Sequence, residues 1–452
     1  MKKLLAGVAL IGTAVGAQAA DLPIKAPYAK APPIAAVYDW TGFYLGVNAG
    51  IGLGRDRTQH YDGLGEDSLY LSPLGAVGGG QIGYNWQTNS VLGPLVLGIE
   101  ADIQGAGMRD GYVNIDNSVY SQKLDWFGTV RGRIGLVTGP TLSYVTGGYA
   151  YGNVNTAGVT NGVPFTFGGT RSGWTWGSGV EAALGGNWTG KIEYLYLNLG
   201  NRTHLYDAGA QAIRSELREQ IFRVGLNYRI GGNNTYTPMV AANWNGFYLG
   251  GNFGSGTARN RTTAIDFVDP GTSRLNLAPD GLNGGVQAGY NWQAGHAVFG
   301  LEADIQGASL EDNKTCFQCA AGLAINSKLP WFGTVRGRLG YATGPSLFYV
   351  TGGLAYGGVK TSLELTGIGS ESFSQTRTGW TVGAGIETPF TLFGLFGPNW
   401  TSKTEYLYVD LGTTTNAVTL AGAVGTLSSR VEQHIFRTGL NYHFNAPLVA
   451  NY

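Results

Sequence analysis

The sequence predicts an all-β protein, a transmembrane antiparallel β-barrel arranged as two tandem eight-stranded barrels. Three observations lead to this prediction: the chain starts with an export signal, it contains the same unit twice, and its strand-like segments alternate apolar and polar side chains. Because both units have eight candidate strands, a single 16-stranded barrel formed by their union is the alternative.

The first 19 residues have the features of a secretory signal peptide. Lys2 and Lys3 precede a short apolar stretch, and Ala17-Gln18-Ala19 is a small-residue cleavage site. Residues 20–38 contain four prolines and are expected to form an extended leader. Cleavage removes two of the 29 basic residues, which leaves 27 against 29 acidic residues and a net charge near −2. This balance gives no indication of nucleic-acid binding.

The composition is unusual for a soluble enzyme. The chain has 75 glycines, 25 tyrosines and 11 tryptophans, and only 13% of its residues are charged. No run of 18 apolar residues follows the signal, so no spanning helix is predicted. Glycine, aromatic residues and even polarity favour a membrane barrel, and a soluble secreted β-sandwich or barrel is the competing class.

The internal repeat defines the domain organisation. WTGFYLG at 40–46 returns as WNGFYLG at 244–250, and KLDWFGTVRGRIG at 123–135 returns as KLPWFGTVRGRLG at 328–340. The order of all such matches is the same in both copies, which indicates a duplication. We therefore predict a first barrel unit at 39–230, a linker at 231–243, a second barrel unit at 244–444 and a C-terminal tail at 445–452.

The connections within the first copy alternate in length. Short turns are predicted at 88–90, 138–141 and 186–188, whereas long polar segments are predicted at 55–74, 108–120, 155–170 and 202–216. Short periplasmic turns and longer outer loops are typical of outer-membrane barrels. An even number of strands also returns both ends of each copy to the periplasmic side.

Several strands show a clear period of two. Ile192, Tyr194 and Tyr196 share one face, and Lys191 and Glu193 share the other. The aromatic-rich apolar faces are expected to contact lipid and its interfaces. The strand that begins at Thr141 is ambiguous, and its sequence does not orient it.

The polar faces carry a balanced set of charges, four acids and four bases in each copy. An eight-stranded barrel is just wide enough to be filled by side chains, and buried charges are tolerated when paired. We therefore predict a plugged, ion-paired interior, with an ion path or a pair of catalytic carboxylates as the functional alternative. The predicted network consists of Glu100, Asp102, Arg131, Arg133, Glu181, Lys191, Glu193 and Arg223, and of Glu302, Asp304, Arg336, Arg338, Glu387, Lys403, Glu405 and Arg437.

Together, AADLPIKAP, WTGFYLG, GGQIGYNWQ, GIEADIQG, WFGTVRGRIG and FRVGLNYRI resemble the alphaproteobacterial outer membrane immunogenic protein family. This family is often labelled porin-like, and its barrel resembles that of OmpA. The resemblance implies an eight-stranded barrel with antigenic outer loops and a role in envelope integrity, and it implies no catalytic residues. Some members are reported to bind haem. Family members usually have one barrel, whereas this chain has two units.

Other candidate sites are weaker. Cys316 and Cys319 lie in an outer loop of an exported protein, so a local disulfide is expected. His60 and His204 are candidate haem ligands on the outer loops, with Tyr61 or Tyr206 as a further candidate ligand, but exposed loop residues are the simpler interpretation. A glycine fingerprint at 78–83 lies inside a strand and leads to no helix, so it does not indicate a dinucleotide site.

The sequence therefore predicts a non-enzymatic protein of the cell outer membrane, because no Ser/His/Asp-type cluster is evident. We expect a structural, envelope-integrity and surface-antigen or interaction role, and no cofactor or metal. A general diffusion porin and a haem-binding surface protein are the alternatives. The expected partners are outer-membrane lipid, lipopolysaccharide and the barrel-assembly machinery, and the oligomeric state is open.

Overall fold

The structure is a computed structural model. It describes residues 38–444 apart from 62–65, 92, 114–118, 161, 232–241, 266–271, 317–322, 366, 368, 391–395 and 421–422. The predicted signal peptide, nearly all of the leader, most of the linker and the tail at 445–452 lie outside the described residues. So does Cys319, and the side chain of Cys316 is likewise not described.

Two antiparallel sheets account for almost all of the described chain. The first contains β1 (Gly42–Tyr61), β2 (Glu66–Leu71), β3 (Leu74–Ser90), β4 (Gly93–Val113), β5 (Val119–Thr138), β6 (Thr141–Thr160), β7 (Val163–Gly185), β8 (Trp188–Tyr206) and β9 (Gln211–Ile230). The second contains β10 (Gly246–Ile265), β11 (Thr272–Leu277), β12 (Asp280–Ala294), β13 (Ala297–Cys316), β14 (Leu323–Thr343), β15 (Ser346–Leu365), β16 (Gly369–Pro389), β17 (Trp400–Leu420) and β18 (Ala423–His443). No helix among the described residues is long and apolar enough to cross a membrane.

Each sheet closes on itself. β1 pairs with β9 from Phe43–Ile230 to Tyr61–Ala212, and β10 pairs with β18 from Tyr248–His443 to Ile265–Thr426. The first and last strands of each copy form their backbone hydrogen bonds with each other. The two copies therefore do not merge, and the alternative of one 16-stranded barrel is wrong. The chain forms two rings, which we call barrel 1 (β1–β9) and barrel 2 (β10–β18).

A proline divides one strand of each barrel. The inner part of β1 pairs with β3, while its outer part, from Asp56 to Tyr61, pairs with the short β2. The break between β2 and β3 falls at Ser72-Pro73, where proline has no N–H for the ladder. β2 and β3 thus act as one interrupted strand, so each ring has eight strand positions around its circumference, as predicted.

The strands extend much further outward than the sequence suggested. Most have about 20 residues, whereas a tilted strand needs only about 9–11 to cross the membrane. The segments predicted as long loops, such as 55–74 and 202–216, are largely strand. Polar residues there continue the ladder outside the bilayer, because a backbone in a sheet satisfies its own hydrogen bonds regardless of side-chain polarity.

The opposite ends are joined tightly. Thr138 pairs with Thr141 across Gly139-Pro140, and Gly139 has a φ of +57°. A positive φ at the first central position favours glycine and suits a type II′ hairpin turn. Gly344 has a φ of +52° at the corresponding turn of barrel 2.

The apolar side chains point outward on most strands. Val130, Ile134 and Trp174 are all about half exposed. The strand that the sequence left ambiguous, β6, places Tyr144 inside and Val145 outside. The outward ring of apolar side chains forms the belt expected for lipid contact.

One part of the predicted lipid face is covered instead. Ile192 and Tyr194 on β8 point outward as their alternation predicts, yet both are buried, as is Phe222 on β9. They pack against Ile386 and Phe436 of barrel 2. Lipid contact was therefore the wrong assignment for these residues, because alternation gives the face of a strand and not what lies opposite that face.

The lumen of each barrel is filled. Trp40, just before β1, is fully buried with Val96 and Leu142 near the periplasmic end, and Trp244 occupies the same place in barrel 2. Apolar clusters that include Phe127 and Phe332 lie further along the interior. The charged layer described next completes the filling.

Candidate functional site

Arg131 is the centre of a buried ion-pair network in barrel 1. Its guanidinium pairs with Glu100, lies 2.9 Å from Asp102 and lies 3.1 Å from Glu193. Its Nε also donates to Thr129 Oγ1, which in turn donates to Asp102. One arginine from β5 thus joins carboxylates of β4 and β8 across the lumen.

Two further cations complete this layer. Arg223 of β9 lies 2.9 Å from Asp102 and 2.5 Å from Glu193. Lys191 of β8 lies 3.0 Å from Glu100. Each carboxylate therefore contacts at least two cations, so its charge is compensated inside a low-dielectric interior.

A second group of polar side chains lies around Glu181 on β7. Its carboxylate accepts from Arg133 at 3.0 Å, from Thr189 at 2.5 Å and from Asn227 at 2.8 Å. Arg133 also donates to Asn85 and stacks over the ring of Tyr44, 4.7 Å from its centroid. The predicted charges of barrel 1 are thus all brought into one lumen and all paired.

Barrel 2 repeats the arrangement with its own residues. Arg336 pairs with Glu302, Asp304 and Glu405, Arg437 with Asp304 and Glu405, Lys403 with Glu302, and Arg338 with Glu387. One addition distinguishes the second copy: His443 lies 3.0 Å from Glu387. The counterpart of His443 in barrel 1 is Arg229, which stacks on Tyr38 instead.

Sequence reasoning missed the neutral donors. Tyr44 donates to Glu100 at 2.8 Å, and Tyr144 donates to Glu193 at 2.9 Å. Both tyrosines were hidden among aromatic residues that the composition assigns to lipid. Their place on the strand was the available signal, because Tyr44 shares its face with Gly46 and Asn48 rather than with Phe43 and Leu45.

The two barrels differ beyond the network, toward the outer end. Asp56 on β1 and Glu219 on β9 point into barrel 1 and are fully buried. Asp56 lies beyond Leu53 and Glu219 lies beyond Phe222, where these two are apolar residues on the outward faces of the same strands. Asp56 accepts from Thr58, whereas neither carboxylate oxygen of Glu219 has a partner among the described residues. We call this pair the outer acid pair.

Burial controls the protonation of the outer acid pair. It raises the pKa of Asp56 to about 7, against the opposing effect of the Arg171 charge. Burial, followed by the charge of Asp56, raises the pKa of Glu219 well above its ordinary value. In barrel 2 the same two positions hold Asn260 and Gln433, the neutral isosteres of protonated Asp and Glu.

The two histidines predicted as candidate haem ligands contact different residues. The Nε2 atom of His60 lies 2.7 Å from the Tyr206 hydroxyl and 3.1 Å from Gln211 Oε1, inside the barrel. His204 stacks on Phe167 at 4.3 Å between ring centroids, on the same face of β8 as Tyr206. Both histidines lie opposite Ile213, on the two strands that flank β9, so this strand separates them. Within the described residues, no group of three or more His, Cys, Asp or Glu side chains could hold a metal ion.

Closed antiparallel rings with an apolar outer belt and a polar, filled interior define an integral membrane β-barrel protein. The chain belongs to the outer membrane protein beta-barrel domain family, whose model matches residues 8–229 and again residues 234–444. It is thus a protein of the outer membrane, with two copies of a domain that its relatives carry singly.

Curated relatives agree with this assignment. The chain is 37% identical over 241 residues to the 31 kDa outer-membrane immunogenic protein of Brucella melitensis, a match that covers 50% of this chain and 98% of the relative. It is 38% identical over 170 residues to the 22 kDa outer membrane protein of Rhizobium leguminosarum, covering 38% of this chain and 65% of the relative. The resemblance stated from the motifs is thereby confirmed.

Among solved structures, Neisserial surface protein A matches 42% of this chain and 98% of its own, with 13% identity and a TM-score of 0.24. A Pseudomonas aeruginosa FadL homologue matches 89% of this chain with 10% identity and a TM-score of 0.27. Likeness at this level of identity and TM-score says nothing about function. The family is shown by the family model and by the sequence relatives.

Proposed function

We propose that this protein is a non-conducting structural component of the outer membrane whose outward strand extensions form its interaction surface. The buried ion-pair network carries the proposal. The network crosses the lumen from β4 to β9 in barrel 1 and from β13 to β18 in barrel 2, and its charges are paired with one another. A lumen filled in this way leaves its carboxylates neither an aqueous path nor a substrate, so we assign neither a porin role nor an enzymatic activity.

Single-channel recording in planar bilayers tests this proposal. We expect the unmodified protein to give no large stable conductance steps, because water cannot replace the paired side chains without unpaired buried charge. Large stable steps from the unmodified protein would overturn the proposal. A matched pair of variants supplies the reference: Glu100→Ala with Lys191→Ala removes one ion pair of barrel 1, and Glu302→Ala with Lys403→Ala removes its counterpart. Both are expected to leak to the same small extent.

The surface role rests on the outward extensions. Relatives are named outer-membrane immunogenic proteins. Long strands that continue past the apolar belt would present a polar surface outside the cell, with its backbone held in a sheet. Antibodies raised against the 202–216 region should bind intact cells. A reagent against the Gly139-Pro140 turn is the control and should bind only after the membrane is permeabilised. Equal binding of both reagents to intact cells would contradict the proposed orientation.

Lipopolysaccharide is the partner that the outer rim of barrel 1 favours. Arg57 and Arg214 are exposed on the outward faces of the adjacent strands β1 and β9, and Arg202 is exposed on the lumen-facing side of β8 at the same rim. Guanidinium groups bind phosphate well. Barrel 2 has Arg261, Thr414 and Ser428 at the same places, so it keeps one of the three arginines.

This difference provides a matched test. Arg202→Thr with Arg214→Ser gives barrel 1 the residues of barrel 2 and should reduce the lipopolysaccharide that remains bound after purification in mild detergent. The reverse exchange, Thr414→Arg with Ser428→Arg, should increase it. Unchanged lipopolysaccharide in both variants would exclude this patch as the binding surface. We expect membrane insertion itself to use the general barrel-assembly machinery.

A further inference from the structure

Part of the outward side of β8, β9, β17 and β18 is covered and not open to lipid. Tyr194 is 5% exposed, Phe222 3% and Phe436 7%. By comparison, Val145 and Val350, which point outward on β6 and β15, are 57% and 56% exposed. Protein rather than lipid therefore covers one side of each barrel.

The aromatic contacts on this side are reciprocal. The ring centroids of Tyr194 and Phe436 lie 5.4 Å apart, and those of Phe222 and Tyr406 lie 4.9 Å apart. Tyr194 and Tyr406 are counterparts in the repeat, as are Phe222 and Phe436. Each barrel thus offers the same pair of rings to the other, which is the property of an isologous, two-fold interface.

The same reciprocity holds at the outer rim. Arg55 lies 2.5 Å from Asp312, and Arg259 lies 2.8 Å from Asp110. Arg55 and Arg259 are counterparts, as are Asp110 and Asp312. Each aspartate is also held by its own barrel, through the backbone N–H of Ser72 at 2.7 Å or of Ala278 at 2.8 Å. The acceptor is therefore already oriented before the arginine reaches it.

The periplasmic turns meet on the same axis. The hydroxyl oxygens of Thr141 and Ser346 lie 3.3 Å apart, and these two residues are counterparts of each other. A residue that touches its own counterpart lies on the two-fold axis. Contacts at the rim, in the middle and at the turns show that both barrels point the same way, as one membrane requires.

We propose that this surface is a permanent isologous interface, that its occupant is the other barrel, and that the pair is held by these contacts rather than by the linker. The duplication then makes the association of the two barrels intramolecular. The effective concentration of one barrel at the other no longer depends on how much of the protein the cell makes. A closed two-fold contact also uses up both surfaces, so it does not extend into larger assemblies.

One contact across the interface has no counterpart and so departs from the two-fold symmetry. Arg55 contacts Asp280 as well as Asp312, whereas the counterpart of Asp280 in barrel 1 is Leu74. Barrel 1 therefore finds one more charge partner on barrel 2 than it would find on a second barrel 1. Such a difference favours the mixed pair over the like pair.

Cross-linking in the full chain tests the proposal. A protease site is placed within 231–243 and both native cysteines are replaced by serine, after which Thr141→Cys and Ser346→Cys are introduced. After oxidation and cleavage, we expect the halves to stay joined on a non-reducing denaturing gel and to separate on reduction. The control chain carries Asn89→Cys and Ala294→Cys, exposed positions at the ends of β3 and β12, and should separate. Separation of the halves in the Thr141→Cys chain, or equal joining in both chains, would overturn the proposal.

A charge exchange at the rim provides a second measurement. After linker cleavage in mild detergent, the unmodified halves should co-migrate. Arg259→Asp faces Asp110 with a like charge and should lower the co-migrating fraction, and the added exchange Asp110→Arg should recover part of it. Unmodified halves that migrate apart would show that only the linker holds the barrels together.

Discussion

Barrels 1 and 2 share one charged layer and differ in another. The ion-pair network is present in both copies with every acid and base retained, whereas the outer acid pair of barrel 1, Asp56 and Glu219, is replaced by Asn260 and Gln433 in barrel 2. A set of charges that compensate one another behaves as a unit, because the loss of one member leaves its partners buried and unpaired. Asp56 and Glu219 form no ion pair within the described residues, and burial favours their neutral forms, so they tolerate exchange for amides.

The largest effect is expected from the centre of the network. Arg131→Met leaves Glu100, Asp102 and Glu193 short of a cation and should lower the free energy of unfolding of barrel 1 by about 3–5 kcal/mol. Arg336→Met should do the same to barrel 2. Hydrogen exchange of β9 and β18 peptides during denaturant titration reports each barrel separately. A loss below about 1 kcal/mol in either barrel would show that the network is not essential there.

An intermediate effect is expected from pH. Below its unfolded pKa of 3.8 Asp56 is neutral in both states, and stability is then lost as pH rises toward its folded pKa of about 7. Above that pH the loss is constant, at about 2–4 kcal/mol. Asp56→Asn should reduce this pH dependence in barrel 1 and leave the part due to Glu219, and Asn260→Asp should introduce it into barrel 2. The same exchange measurement between pH 4 and pH 8 checks both variants, and a flat profile for unmodified barrel 1 would contradict the assignment.

The smallest effect is expected from the outward extensions. Lys328 and Glu311 form an ion pair at 3.0 Å with both side chains nearly half exposed. Solvent screens such pairs, so Lys328→Gln should change stability by less than about 1 kcal/mol. Urea unfolding at low and high salt checks this, and a loss as large as that of Arg336→Met would mean that exposure does not separate the two kinds of ion pair.

Sequence reasoning recovered the barrel class well and the extent of the strands poorly. The alternation around Arg131 and Arg133 placed both side chains inside, and the structure shows both there. The prediction of a long loop from residue 55 was wrong, because β1 continues to Tyr61 through polar residues. Alternation reports the burial of side chains, and outside the membrane both faces of a strand are polar enough to hide that signal.

The candidate site was only partly accessible in the same way. The types and faces of the sixteen charges could be read locally, but the partners of the tyrosine hydroxyls could not, because Tyr44 and Glu100 are 56 residues apart. The outer acid pair was missed for a similar reason. Asp56 lies in a segment predicted as a long loop and Glu219 lies just beyond another, and only the closure of β1 on β9 places them in one lumen.

By itself, the sequence determined the duplication, the eight strands of each unit and the inward direction of the charges, because these depend on composition and on a period of two along the chain. Only the tertiary structure decided that each copy closes its own ring, which carboxylate each arginine meets, and that Tyr194 and Phe222 face a second barrel instead of lipid. These last facts depend on groups brought together from distant parts of the chain, and a local pattern carries no information about what lies across the space in front of it.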